Sequence, residues 1–543
     1  MAPEIRLIGR VVAVSGTQLT AQLVGGADAP EVSVGMLLRI DAGNAATFGM
    51  VSALRIVDTA SSADGGEKRL FDVDLLGELV ERRNGTTHIV FQRGVSAYPP
   101  LGAAVRTASA EDYATVYQRP DKANIQIGTV YHSDGLPAYA SIDDLLGKHF
   151  AVLGTTGTGK SCTVALILRT ILSGYPNGHV VLLDPHNEYT AAFADMAEPV
   201  NTNNLELPYW LLTGEEIASI LIGRNQADND ARGPILFASI VAAKREFLGA
   251  GADASHLTVD TPSPYRLTTL TRILDDHMGR LEKPEGALPY IRLKARIEAL
   301  RSDARYSFMF SGLVLKDVML DVVSRLLRVP VDGKPITIID LSAVPSEIVD
   351  TVVSVLCRLI FDFCLWTEPV QSLPVLLVCE EAHRYIPNGE STGFEPSKRI
   401  LSRIAKEGRK YGVALGLVTQ RPSELSTSVL SQCSTLFALR MSNERDQEFV
   451  LNALPENASS FLTALSSLRT QEAIAIGEGV TVPMRLMFSD LPKEHRPRSG
   501  NAGFSTAWVN DDFRKVRARE IIQRWRLQMR SVDAPPPGEK ASA

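Results

Sequence analysis

The pattern of apolar and polar positions changes at about residue 110. Before that point the chain consists of short, β-rich runs, among them residues 8–14, 37–40, 48–51 and 70–75. Turn signals such as Ser15-Gly16 and Asn84-Gly85 separate these runs at intervals typical of a small antiparallel barrel. We therefore predict an N-terminal β-barrel, which serves either as a structural and oligomerising module or as a contact for nucleic acid.

Further along the chain, apolar strands alternate with helical stretches, which is typical of a parallel sheet covered on both faces. The predicted buried strands are residues 149–153, 180–183, 336–339, 375–378 and 414–418. The stretch between the second and third strands has helical periodicity and predicts an insertion. The expected organisation is a barrel at 1–110, a connecting segment at 111–145, an α/β core at 146–500 with a helical insertion at about 200–330, and a C-terminal helix with a disordered tail at 501–543.

A glycine-rich motif, Gly154-Thr155-Thr156-Gly157-Thr158-Gly159-Lys160-Ser161, lies directly after the first of these strands and before the helical run that starts at Cys162. This is the position that a phosphate-binding loop requires. Its glycines allow backbone N–H groups to surround phosphates, Lys160 supplies positive charge to the β- and γ-phosphates, and the Ser161 hydroxyl can ligate Mg²⁺. The motif predicts ATP binding with Mg²⁺ at residues 154–162.

Two acids, Glu380 and Glu381, end the apolar strand predicted at residues 375–378. In P-loop ATPases the first such acid holds the magnesium shell and the second polarises the attacking water, so we assign these roles to Glu380 and Glu381. The first position is more usually Asp, and the longer Glu380 side chain is expected to reach the metal through water. Gln420 follows the strand predicted at 414–418, which we place between the phosphate-loop strand and the acidic strand, and it is the candidate γ-phosphate sensor.

Charge and hydropathy restrict the possible functions. The formal net charge is −6, so a surface that binds nucleic acid phosphates must concentrate its Lys and Arg locally. The sequence contains no apolar run of membrane-spanning length and no N-terminal secretory pattern, which predicts a cytoplasmic protein without a membrane segment.

Taken in order, the motifs resemble those of the HerA family, which is related to the FtsK DNA translocases. The resemblance covers most of residues 146–490 and rests on the phosphate loop together with Asp184-Pro-His-Asn-Glu-Tyr189, Ile339-Asp-Leu-Ser342, Glu380-Glu-Ala-His-Arg-Tyr385, Ile404-Ala-Lys-Glu-Gly-Arg-Lys-Tyr-Gly412 and Thr419-Gln-Arg-Pro422. It implies a RecA-like core, a homohexameric ring with nucleotide between subunits, and a central channel for double-stranded DNA.

The resemblance also implies a partner nuclease or other effector, acting in DNA end processing or in anti-phage defence. It places Arg409 as a finger that reaches the γ-phosphate of a neighbouring subunit, with Arg403 and Lys410 as alternatives. Lys148 occupies a position where the family often has Arg, and it is a candidate phosphate contact.

Two other functions fit the same motifs. One is a related motor for protein or for a conjugation channel, although such motors usually have membrane segments or lack the barrel. The other is a ring scaffold that uses ATP turnover to switch an attached effector, because an intact ATPase site does not prove translocation. Basic residues of the insertion are either DNA contacts or a solvated helix face: Arg292, Lys294, Arg296, Arg301 and Arg305.

Overall fold

The structure is a computed structural model of the whole chain. It describes residues 5–526 except 25–30, 43–44, 59–66, 85, 132, 134, 224–225, 250–252, 282–283, 311–316, 390–394, 454–463, 499–503 and 510–514. The predicted disordered tail therefore lies outside the described residues.

The N-terminal part is a β-barrel, as predicted. Its strands are β1 (Leu7–Ser15), β2 (Gln18–Leu23), β3 (Leu37–Ala42), β4 (Ala45–Asp58), β5 (Glu67–Asn84), β6 (Thr86–Arg93) and β7 (Ala104–Thr107). Within the described residues the strand order is β2-β1-β7-β3-β4-β5, and β5 pairs back with β2, so six strands close the barrel and β6 extends the β5 hairpin. Buried side chains of these strands form a core that includes Ile8, Leu38 and Phe71.

The central part is one large sheet. Its strands are β8 (Asn124–Val130), β9 (Pro137–Ser141), β10 (Phe150–Leu153), β11 (His179–Asp184), β12 (Ala197–Val200), β13 (Ile336–Asp340), β14 (Val375–Cys379), β15 (Val413–Thr419), β16 (Thr435–Leu439), β17 (Glu472–Gly477) and β18 (Met484–Phe488). In the described part of the chain these eleven strands have the order β12-β13-β11-β14-β15-β10-β16-β17-β18-β8-β9.

The strands from β12 to β16 are parallel, whereas the pairs from β16 to β9 are antiparallel. All five predicted core strands are confirmed, and their uninterrupted burial explains why they were visible in the sequence. Strand β15 lies between β14 and β10, as predicted.

Helices cover the sheet and form the insertion. They are α1 (Ala110–Val116), α2 (Ile142–Leu146), α3 (Lys160–Gly174), α4 (Gly214–Leu221), α5 (Gln226–Leu248), α6 (Leu267–Gly279), α7 (Leu288–Ser302), α8 (Ser307–Phe310), α9 (Met319–Leu327), α10 (Val349–Trp366), α11 (Glu395–Glu407), α12 (Thr427–Leu430), α13 (Glu444–Ala453), α14 (Phe504–Val509) and α15 (Lys515–Arg526). Among the described residues, no helix is long and apolar enough to cross a bilayer.

Two features differ from the expected organisation. The segment at 111–145, expected to be a connection, contributes β8 and β9 to the edge of the core sheet, and we propose that the core includes it. The helical insertion, α4 to α9, starts after the short edge strand β12, which was not predicted because it has only four residues and contains Pro199.

The barrel and the core share one apolar cluster. Leu37, Phe48 and Phe91 of the barrel belong to the same buried cluster as the central sheet. The Arg93 guanidinium of β6 donates a hydrogen bond of 3.0 Å to the carbonyl of Gly477, at the end of β17. The barrel is thus packed against the edge of the sheet at which the parallel strands begin.

Candidate nucleotide site

The phosphate loop connects β10 to α3 at the carboxyl edge of the parallel strands. Gly157 and Gly159 have φ angles of 78° and 105°, which L side chains rarely adopt, so glycine is required there. A side chain at Gly154 would place its Cβ 2.8 Å from the Cβ of Leu439. These three glycines explain why the loop can curve tightly between a strand and a helix.

The first turn of α3 presents backbone donors to the loop. The N–H of Thr163 bonds the Gly159 carbonyl at 2.8 Å, and the N–H groups of Lys160, Ser161 and Cys162 precede it in the helix, where intrahelical acceptors are lacking. Such a helix N-terminus is suited to bind phosphate. The loop therefore has the form that the sequence predicted.

Lys160 is almost fully buried beneath the loop, and its ammonium donates a hydrogen bond of 3.1 Å to the carbonyl of Thr155. Burial lowers the pKa of Lys160, while the nearby carboxylates Glu380, Glu381 and Glu188 act in the opposite direction. The lysine thus lies among three acids at the end of the loop. This arrangement holds the ammonium where it can contact phosphates.

Glu380 follows the last residue of β14 and is 3% exposed. The Tyr189 hydroxyl donates a 2.5 Å hydrogen bond to its Oε2. Burial raises the pKa of Glu380 to about 8, an effect increased by the adjacent acids and reduced by the Tyr189 hydrogen bond and by Lys160. A divalent cation would offset the cost of ionising this buried carboxyl.

Glu381 adopts a left-handed backbone conformation, with φ of 51°. The side chain is buried, and Oε2 accepts no hydrogen bond among the described residues. The Nδ1 atom of His383 lies 3.2 Å from this oxygen. A buried, unpartnered carboxylate oxygen beside the phosphate loop is suited to accept a hydrogen bond from water.

The segment after β11 supplies two polar groups to which our sequence interpretation gave no role. The Ser161 hydroxyl donates a 2.8 Å hydrogen bond to Oε2 of Glu188, and Tyr189 contacts Glu380 as described above. Asp184 accepts hydrogen bonds from the N–H groups of His186 and Tyr189 and thereby shapes the turn. The sequence contained a signal for these contacts, because the motif at residues 184–189 starts at the end of strand β11, which pairs with β14.

The oxygen atoms around Ser161 fit a hard cation. The hydroxyl of Ser161 and the carboxylates of Glu188 and Glu380 are ligands of the kind that Mg²⁺ prefers. The described residues contain no cluster of three or more His, Cys, Asp or Glu side chains that could hold a metal by themselves. This agrees with the usual binding of Mg²⁺ through one or two protein groups together with substrate phosphates.

Gln420 comes directly after β15 and contacts the phosphate loop. The Thr156 hydroxyl donates a hydrogen bond to its Oε1. Since β15 lies between β10 and β14, the Gln420 side chain is placed between the loop and the acidic pair. The structure therefore brings Gln420 to the position expected of a γ-phosphate sensor.

Arg409 lies in the turn before β15, at the opposite edge of the sheet from the loop. Its side chain is exposed, and its guanidinium makes no hydrogen bond or ion pair within the part of the chain that the structure describes. The two alternatives are engaged: Arg403 pairs with Glu407 at 3.3 Å and the ammonium of Lys410 lies 5.4 Å from the Tyr411 ring centre. Arg409 is thus the most available of the three.

The structure does not bring Lys148 to the phosphate loop of its own subunit. Lys148 precedes β10, whereas the loop follows it, so the strand separates them by roughly 13 Å. Its ammonium instead pairs with Glu478. Strand direction places Lys148 and the loop of its own subunit at opposite edges of the sheet, so its phosphate contact stays a prediction.

The basic candidates of the insertion all have partners within the chain. Lys294 pairs with Asp275, Arg301 with Glu298, Arg305 with Asp303, Arg296 donates to the Ile220 carbonyl, and Arg292 is also engaged. These contacts favour a solvated helix face over a DNA contact for this set.

Comparison with known proteins agrees with this geometry. A family model described as the central domain of the helicase HerA matches residues 125–360. The chain is 27% identical over 520 residues to the DNA double-strand break repair helicase HerA of Pyrococcus furiosus, covering 88% of this chain and 86% of that protein. It is 26% identical over 429 residues to the HerA helicase of Sulfolobus acidocaldarius, covering 78% and 79%.

Among solved structures, VirB4 of Thermoanaerobacter pseudethanolicus has a TM-score of 0.48 and 15% identity, covering 70% of this chain and 99% of that one. The phosphate loop, the acidic pair on β14 and the intervening strand β15 define a P-loop ATPase with a RecA-like core. The family model matches the centre of the chain and the curated relatives align with most of its length, so the chain is similar to the HerA helicases.

Proposed function

We propose that the chain is an ATP-driven motor that assembles as a homohexameric ring and moves along double-stranded DNA. The observation that supports this proposal most directly is the position of Arg409. Its side chain is exposed, has no partner among the described residues and lies at the sheet edge opposite the phosphate loop of its own subunit. An arginine so placed can complete only a neighbour's nucleotide site. The names of the relatives, helicases of DNA double-strand break repair, support DNA as the substrate.

Within each site we assign ATP and Mg²⁺ to residues 154–162. Lys160 neutralises the β- and γ-phosphates, while Ser161 and Glu380 hold the Mg²⁺, Glu380 through a water molecule. Glu381 accepts the proton of the attacking water or orients it, and Gln420 contacts the γ-phosphate. Arg409 of the adjacent subunit stabilises the charge that develops on the transferred phosphoryl group.

We further propose that the ring acts in the cytoplasm with a nuclease or other effector, in DNA end processing or in anti-phage defence. The barrel, which packs at the edge where the strands begin, is the surface available for such a partner. Lys148 stays a candidate for contact with the nucleotide of an adjacent subunit, because it lies at the same edge as Arg409.

The test uses purified protein and a duplex that carries a third-strand oligonucleotide. We expect light scattering to give six times 59.0 kDa, with nucleotide or partner added if assembly needs it, and ATP-dependent displacement of the third strand by the wild type. The Lys160→Ala variant serves as the inactive control. ATP turnover by a ring that never displaces the strand would contradict translocation and favour the scaffold that switches an effector.

A further inference from the structure

His383 is placed between the catalytic acid and the strand that carries the sensor. Its Nδ1 atom lies 3.0 Å from the Thr419 hydroxyl and 3.2 Å from Oε2 of Glu381. Thr419 is the last residue of β15 and is fully buried, and Gln420 follows it directly. One imidazole nitrogen is therefore shared between the end of the sensor strand and the acid.

In this arrangement His383 does not complete the hydrogen bonding of the Glu381 carboxylate. The Thr419 hydroxyl also accepts a 3.0 Å hydrogen bond from the backbone N–H of Arg421, so its own proton is available to His383. When Nδ1 accepts that proton, it cannot donate to Glu381, and Oε2 of Glu381 is indeed without a hydrogen bond among the described residues. Burial lowers the pKa of His383, which favours the neutral ring with a single N–H.

We propose that His383 is a positioning residue that aligns the Glu381 carboxylate for water activation and makes this alignment depend on the end of β15. In the structure described here the Gln420 amide is held by Thr156 of the phosphate loop. A γ-phosphate competes for the same amide, and the resulting movement of residues 419–420 releases Nδ1 from Thr419. The ring, which is partly exposed, then gives up its Nε2 proton to water and takes up a proton from water at Nδ1. The new Nδ1–H donates to Oε2 of Glu381 and leaves Oε1 free to face the attacking water.

This inference rests on the proposed hydrolytic role of Glu381 and goes beyond it by naming how the acid is held. His383 contacts neither phosphate nor metal in this scheme, so its loss is expected to affect the rate of the chemical step more than nucleotide binding. Groups that orient a reacting residue typically contribute about 10- to 100-fold to activity. The Asn side chain can place an amide N–H near the position of Nδ1, whereas Leu cannot hydrogen-bond.

The experiment compares His383→Leu with His383→Asn in the full-length protein. We expect His383→Leu to lower kcat by about 10- to 100-fold with KM and the Kd of a fluorescent ATP analogue changed by less than about twofold, and His383→Asn to recover most of the rate. Retained analogue binding shows that the fold is intact. A His383→Leu enzyme with wild-type kcat, or an Asn variant as slow as the Leu variant, overturns the inference.

A second pair keeps the test decisive if His383→Leu does not fold. Thr419→Ser retains the hydroxyl and is expected to keep the wild-type rate. Thr419→Val removes the group that withholds Nδ1 from Glu381, so we expect a higher kcat at unchanged analogue affinity. Equal rates for the two Thr419 variants contradict the coupling. A wild type that binds ATP without hydrolysing it would instead remove the proposed function itself, and this inference with it.

Discussion

Arg409 and Gln420 lie at the two ends of the same strand, β15. Arg409 is in the turn before Val413, and Gln420 follows Thr419, so the seven-residue strand holds them about 20 Å apart. Gln420 contacts its own phosphate loop, which Arg409 cannot reach. In the proposed ring, one strand would thus carry the sensor of its own subunit and the arginine that serves the next.

Replacing Lys160 tests the phosphate loop. Lys160→Ala removes the buried ammonium, and we expect ATP turnover to fall by at least roughly 10²- to 10³-fold, the usual effect of losing one preorganised charge or donor. Steady-state phosphate release measures this. Lys406→Ala, an exposed lysine on α11, is the control and should keep the wild-type rate. Turnover near wild type in Lys160→Ala would remove the phosphate-loop assignment.

Replacing Glu381 separates binding from hydrolysis. Glu381→Gln keeps the shape of the side chain but not its basicity, so we expect ATP to bind normally and hydrolysis to fall by about 10²- to 10⁴-fold. Bound and unhydrolysed ATP can be quantified after rapid gel filtration. If this variant fails to bind ATP, the roles given to Glu380 and Glu381 are incorrect.

The buried Glu380 carboxyl predicts a dependence of stability on pH. Its pKa is raised from 4.5 to about 8, mainly by burial, so the folded state holds its proton more tightly than the unfolded state. Its contribution to stability is therefore complete below 4.5 and is lost as the pH rises through about 8. Glu380→Gln has no proton to lose, and its Tm relative to wild type should increase between about pH 6 and about pH 9 without metal or nucleotide. A difference that is constant or decreases with pH contradicts this account.

The hydrogen bond from Tyr189 to Glu380 predicts a contrast between two buried tyrosines. Tyr189→Phe leaves Oε2 of Glu380 without its donor and should lower the free energy of unfolding by about 1–3 kcal/mol. The matched control is Tyr385→Phe, because the buried Tyr385 hydroxyl has no partner among the described residues. Urea denaturation should show no loss of stability in that control. Equal losses in the two variants would mean that the hydrogen bond contributes nothing specific.

Much of the fold could be predicted because its elements leave patterns in short, continuous stretches of the sequence. The core strands are continuous apolar runs, the phosphate loop has its glycines at positions of positive φ, and the position of β15 followed from the order of the motifs. Strands β8 and β9 were missed because their buried positions alternate with less buried ones and do not form continuous apolar runs. Which subunit's nucleotide Lys148 could contact was not visible in the sequence, because the sheet edge that a residue occupies depends on the strand directions.

The contacts of the site were less predictable than its members. Glu188, Tyr189 and His383 belong to motifs that the sequence shows, but their hydrogen bonds to Ser161, Glu380 and Thr419 join separate segments of the chain. Spacing along the chain carries no information on such contacts. A role could therefore be assigned to each of these residues only from the folded structure.

The central claim is that each ATPase site is completed by a neighbouring subunit, and mixing two inactive variants tests it most directly. Arg409→Ala should lower turnover by about 10³- to 10⁵-fold, whereas Arg403→Ala and Lys410→Ala should retain most of it. Mixed with Lys160→Ala subunits, Arg409→Ala subunits keep an intact phosphate loop and can receive an arginine from their neighbours.

The decisive measurement is the ATPase rate of Arg409→Ala alone and of the mixture, after subunits have been allowed to exchange. We predict almost no activity for either variant alone and partial recovery in the mixture, in proportion to the fraction of interfaces that combine an intact loop with an intact arginine. Wild-type ATP hydrolysis by Arg409→Ala alone would contradict completion of the site by Arg409 from a neighbouring subunit.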